Sequence, residues 1–157
     1  MNTTVANDTQ VGGTHYRTDY QHWDFVADAG FGYFEGQITK YLCRHSKKNG
    51  VQDVAKAKHF ALKLCELAAR SYPPQHTRCS ADLVARFLKH NTLTPYSAEA
   101  EVVYKLGTWS NVGDLSVILH WISLVEQRYA MSSALIAQSG AEPLAQGYVN
   151  QDSKGTA

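Results

Sequence analysis

An excess of charge of either sign is missing from this 157-residue chain, in which 15 Lys and Arg stand against 14 Asp and Glu. No bulk field draws it to nucleic acid or to an acidic membrane, so any anion site has to come from local clustering. Cysteine is scarce as well. Cys43, Cys65 and Cys79 cannot all pair within one chain, none belongs to a C-x-x-C, and no His pair stands at zinc-finger spacing. Reduced thiols in a cytosolic protein are the expectation. No apolar run approaches the roughly 18 residues of a membrane span. The opening MNTTVANDTQVGG has neither the basic flank nor the apolar stretch of a signal peptide. Alternation of period two is absent over any useful length, which argues against strands. Hydrophobic residues at 44% and charged residues at 18% leave an ordinary globular composition, enough for one core.

What is present is helical periodicity. Residues 1–12 read as a flexible N-terminal segment, 13–136 as a helical domain and 137–157 as a mobile tail rich in Gly, Ser, Gln and Asn. A first helix is expected from Trp23 to Ala29, stopped by Gly30. A second spans Phe34 to Lys47, with Phe34, Ile38, Tyr41, Leu42 and His45 on one stripe. Asn49-Gly50 supplies a turn. A third helix runs from Val51 to Arg70, and Pro73-Pro74 closes that half. Leu83 to His90, a segment from Thr94-Pro95 to Leu106, and Asp114 to Tyr129 continue the pattern. Val51, Asp53 and His59 match Val112, Asp114 and His120 at an offset of 61, which also sets Phe60 against Trp121. The expected fold is therefore all-α, a small bundle of two pseudo-repeated helical hairpins.

KYLCRHSKKNG, residues 40–50, concentrates Lys40, Arg44, Lys47 and Lys48 on that second helix. At about 100° per residue, Arg44 falls about 40° from Lys40 and Lys47 about 20° to its other side, one narrow stripe. Like charges at that spacing oppose an isolated helix, and a bound phosphate would turn the cost into charge-assisted hydrogen bonds. The alternative is a solvated face near a helix C-terminus. GGTHYR, residues 12–17, sets two glycines before His15, Tyr16 and Arg17 in a stretch without helical pattern. Such a loop either approaches a ligand or covers the core. Lys56 can reach the same space as Lys47, and Asp53 either caps the third helix or orients a cation. GFGYFEG, residues 30–36, fails as a dinucleotide fingerprint, because its third glycine is displaced and no strand precedes it. No P-loop is present. Glu99 and Glu101 are two apart, not the three that all-α nucleotide pyrophosphatases use for magnesium. His22, His45, His59, His76, His90 and His120 are scattered and read as structural or surface residues.

Taken together, H-Y near the start, W-D-F-V, and FEGQITKYLCRHSKKNGVQDVAKA resemble the phage-encoded nucleotide kinase family, the SaV-like proteins, over about residues 13 to 67. That family carries G-N-x-I-K-Y-x-x-R-x-x-K-K followed by D-L-x-K-A. Gly36, Lys40, Tyr41, Arg44, Lys47, Lys48, Asp53, Lys56 and Ala57 fall in register, while Gln37 and Thr39 depart from it. The resemblance implies a helical, nucleotide-binding protein of the host cytoplasm that moves a phosphoryl group onto deoxynucleoside monophosphates without a P-loop. On it, His15, Lys40 and Arg44 take catalytic roles. Tyr16, Gly36, Gln37, Tyr41, Lys47, Lys48 and Lys56 bind nucleotide. A nucleoside triphosphate is the phosphate donor, no protein metal site is implied, and the need for Mg²⁺ is left open. Nucleotides are the expected partners, with self-association, and neither membrane nor nucleic acid. A non-catalytic protein that sequesters a host nucleotide signal would need the same cations and aromatics. A helical interaction factor with an incidental basic face is the third reading.

Overall fold

The computed structural model describes Ala6 and residues 18–139. Six α-helices lie among them: α1 (His22–Ala29), α2 (Tyr33–Arg44), α3 (Val51–Ala68), α4 (Ala81–His90), α5 (Ala98–Leu106) and α6 (Val112–Ser139). A 3₁₀ turn, His45–Lys47, follows α2 directly, and the described residues form no strand beyond an isolated bridge between Phe31 and His76. The fold is all-α, as expected. No described helix is long and apolar enough to cross a membrane.

Local chemistry explains most boundaries. Gly30 ends α1 in the left-handed region at φ 67°, and a Cβ there would lie 2.5 Å from Thr77 Oγ1. Ser80 and Ser97 cap α4 and α5 by accepting from the Leu83 and Ala100 amides, each at 3.2 Å. The fifth helix does not start at Thr94-Pro95, because Tyr96 sits at φ 62° and cannot belong to a right-handed first turn. The last helix runs ten residues past the expected Tyr129, so the 137 boundary falls inside it. Residues 130–139 are exposed throughout, so good helix formers such as Ala, Met and Leu carry this part rather than burial.

The bundle is built from two hairpins, α2–α3 and α5–α6, with α3 and α6 packed on each other; α1 packs on α2 and α4, and α4 on α5. The 61-residue offset holds in the packing. Val54, Ala57, Ala61 and Leu64 of α3 are buried, and so are their counterparts Leu115, Ile118, Ile122 and Val125 of α6. It holds in the ion pairs too, since Arg44–Asp53 is matched by Lys105–Asp114.

A buried polar chain crosses between the hairpins. Tyr129 Oη lies 2.6 Å from His45 Nδ1, His45 Nε2 lies 2.9 Å from Glu99 Oε1, and Arg128 also donates to that oxygen. Burial alone would push the Glu99 carboxyl up, but hydrogen bonds from His45, the backbone and Arg128 bring it down to about 2. A depressed carboxyl stabilises the fold above its unfolded pKa of about 4.3 and loses that contribution as pH falls through the folded value. Glu99→Gln should therefore cost roughly 2–3 kcal/mol at pH 7, with less than half of that difference left near pH 3. Urea melts of both proteins at the two pH values check it.

Candidate functional site

Three stretches enclose a groove of about 840 Å³. The start of α1 contributes Gln21, His22 and Trp23, with Val26 and Ala27 one turn on; the connection to α2 contributes Gly30, Phe31 and Gly32; α2 itself contributes Tyr33, Gly36, Gln37 and Lys40. Positions 33, 36, 37 and 40 share one helical face, which is why they meet in one wall. Arg78 closes the rim from the loop before α4, its guanidinium donating to the Ala27 carbonyl at the negative end of α1. A side chain is excluded at Gly32, where a Cβ would lie 2.6 Å from Gln75 Cβ. Trp23 and Tyr33 are 48% and 63% exposed, large aromatic surfaces beside two cations. Apolar walls with a few polar groups are what a small-molecule site requires.

Behind Lys40 the cations converge on the Tyr41 ring, with Arg44, Lys56 and Lys40 at 4.7, 5.4 and 5.9 Å from its centroid. The same ring stacks on Phe60 at 5.8 Å. Asp53, completely buried, organises the group. It accepts from Arg44 Nε at 2.9 Å, Asn49 Nδ2 at 3.2 Å and Lys56 Nζ at 3.3 Å. Burial raises its carboxyl, yet the bonds from Arg44 and Asn49 and the adjoining positive charge leave it below the usual carboxylate range. Asp53 thus orients cations and does not cap α3. Lys40 makes no salt bridge among the described residues, although the Asp53 charge attracts it. Burial, then Arg44 and Lys48, hold its pKa down, so an anion arriving there relieves repulsion.

The expected site residues divide accordingly. Gly36, Gln37 and Lys40 line the groove, and Tyr41, Arg44 and Lys56 form the cluster behind it. Lys48 stands near enough to Lys40 to depress it. Lys47 corrects the expected stripe: the α-helix ends at Arg44, the 100° step no longer applies, and Lys47 Nζ donates to the Asn91 carbonyl at 3.4 Å. Lys56 Nζ is instead bonded to Asp53 at 3.3 Å. His15 and Tyr16 lie outside the described residues. The other groove residues, among them His22, Trp23, Tyr33 and Arg78, are not among the expected site residues. The glycines of GFGYFEG signal close backbone approach, even though the motif fails as a strand-borne fingerprint. Arg78 had no signal, being a loop residue beyond Pro73-Pro74.

A family model described as a protein of unknown function, DUF3310, matches residues 12–62. The match covers α1, α2 and most of α3, hence every groove residue except Arg78, and ends before the second hairpin. No curated protein matches the chain, and no solved structure does.

Proposed function

We propose that the groove binds a nucleoside monophosphate and that the protein transfers a phosphoryl group to it from a nucleoside triphosphate. The observation that carries this reading is Lys40, a groove-wall cation that makes no salt bridge among the described residues, backed by the Asp53-fixed Arg44. Trp23 and Tyr33 replace Tyr41 as the stacking surface for a base, because Phe60 and the cations already occupy the Tyr41 ring. In the transfer, an acceptor phosphate oxygen bonds to the γ-phosphorus as the bond to the donor's bridging oxygen breaks, giving two diphosphates. Such chemistry asks mainly for alignment and neutralised charge. Lys40 and Arg44 supply the charge. Among the described residues no group of three His, Cys, Asp or Glu is placed to hold a metal ion, so Mg²⁺ on this reading travels with the triphosphate.

Incubation with each deoxynucleoside monophosphate and Mg-ATP, followed by chromatography for diphosphates, tests the reading. Product formation from at least one monophosphate is expected. Binding without product, seen by calorimetry, would assign the protein to nucleotide capture, and no binding would remove both.

A further inference from the structure

The groove carries two positive charges, Lys40 and Arg78, and no acidic side chain among the described residues that line it. In a chain whose charges nearly cancel, that makes it a local anion receptor. The two cations stand at opposite ends. Lys40 belongs to the end where α1 begins, since His22 Nε2, in the first turn, lies 2.8 Å from Oγ1 of Thr39, the residue before Lys40. Arg78 belongs to the end where α1 stops. Its guanidinium donates to the Ala27 carbonyl, which occupies one of five N–H groups, and its amide donates to the Ala29 carbonyl at 3.0 Å. The Gly32 amide, donating to the Gln75 carbonyl at 3.1 Å, fastens the same loop to the start of α2.

Two helices measure the separation. From His22 to Ala27 α1 rises about 7.5 Å, and from Tyr33 to Lys40 α2 rises about 10 Å. One phosphate cannot touch both cations across that distance. It is close to the Debye length of about 8–10 Å, so the empty groove holds both charges at small cost. Each end also has its own exposed aromatic: Trp23 follows His22 at the Lys40 end, and Tyr33 opens α2 at the Arg78 end. A cation for a phosphate and a ring for a base make one nucleotide subsite. The groove contains that combination twice.

We propose that both nucleotides of the transfer occupy the groove together, the acceptor monophosphate on Lys40 and Trp23 and the donor triphosphate on Arg78 and Tyr33. This rests on the nucleotide reading above and adds the donor's site to it. The direction follows from charge. The moving phosphoryl group needs the most neutralisation. Arg44 and Lys56 gather with Lys40 around the Tyr41 ring, whereas no second cation lines the Arg78 end among the described residues. The acceptor phosphate and the γ-, β- and α-phosphates of the donor then form one row from Lys40 to Arg78, with the reacting oxygen and phosphorus between the two anchors.

Linked nucleotides test the arrangement. Adenosine joined 5′ to 5′ with thymidine or deoxyguanosine through two, four or five phosphates is titrated by calorimetry, beside dTMP, dGMP and ATP each alone. Four or five phosphates reach both ends, so these compounds should bind about a hundredfold more tightly than any mononucleotide, and the two-phosphate compounds should not. Arg78→Met should erase that gain and weaken ATP about tenfold, the loss of one charge-assisted hydrogen bond, while dTMP and dGMP stay within about twofold. Arg78→Lys, which keeps the charge, should retain most of the gain, and melting temperatures verify that both variants fold. Mononucleotides that bind with no gain on linkage overturn the paired arrangement and leave nucleotide binding standing. So does a gain already complete with two phosphates, or an Arg78→Met that weakens donor and acceptor alike. Absence of binding by single and linked nucleotides removes the nucleotide reading and this assignment with it.

Discussion

Asp53→Ala should cost roughly 3–5 kcal/mol of stability and, on the proposed function, abolish nucleotide binding, the largest effect of any single substitution in this site. The Asp53 carboxylate is fully buried and Arg44 is 12% exposed. Removing one partner of such a pair leaves the other charge desolvated and unanswered, which costs more than the pair contributes net. Lys56 is 46% exposed and recovers its hydration, so it adds little. The linkage follows from the direction of the Asp53 shift. Its carboxyl is held below its ordinary value, so its contribution is complete above the unfolded pKa of about 3.9 and disappears as pH falls through the folded value. The gap between wild type and Asp53→Ala should accordingly be widest near neutrality and narrow below about pH 4. Guanidinium melts at neutral and acid pH measure it directly. A neutral-pH loss under about 1 kcal/mol would mean that the pair is solvated and that Arg44 is not held by it.

That result bears on how far the sequence could be read. Periodicity locates the six described α-helices, because each buries a stripe whose spacing survives in the sequence. Ends were less legible where burial did not set them: residues 130–139 stay helical by propensity alone, and Tyr96 delays α5 through its backbone conformation. The repeat illustrates the same difference. Counting identities finds Val51, Asp53 and His59 and misses the stronger pattern, in which Val54, Ala57, Ala61 and Leu64 exchange sizes with Leu115, Ile118, Ile122 and Val125. The matched positions are buried on both helices while their identities differ, so the pattern survives in burial and not in residue type.

The candidate site was half legible for a related reason. Lys40, Arg44, Gly36 and Gln37 share one helix, so angular arithmetic brings them together. His22, Trp23 and Arg78 reach the groove through tertiary contacts that no spacing encodes. Asp53 was ambiguous because an acidic residue in the first turn of a helix serves a cap and a buried ion pair equally well. Only the position of Arg44, nine residues back across the Gly50 turn, decides between them.

Lys40→Met should lower kcat/KM for phosphoryl transfer about a hundredfold, a loss of near 3 kcal/mol of transition-state stabilisation, comparable to removing one oxyanion donor. Methionine keeps the apolar stem against the groove wall while deleting the charge. Lys40 is a cleaner probe than Arg44, whose removal would strand the buried Asp53 carboxylate and confound binding with folding. A paired measurement on Lys47→Met sharpens the test. If the cations worked as one helical stripe, both substitutions would weaken transfer alike. With Lys47 directed to the Asn91 carbonyl instead, its loss should change kcat/KM by less than about threefold. Steady-state kinetics on the two variants, with melting temperatures to verify folding, separate the possibilities. Equal losses would restore the stripe and displace the groove. A Lys40→Met protein within about threefold of wild type would show that transferred phosphate does not meet Lys40 at all, and the site would have to be sought elsewhere on the molecule.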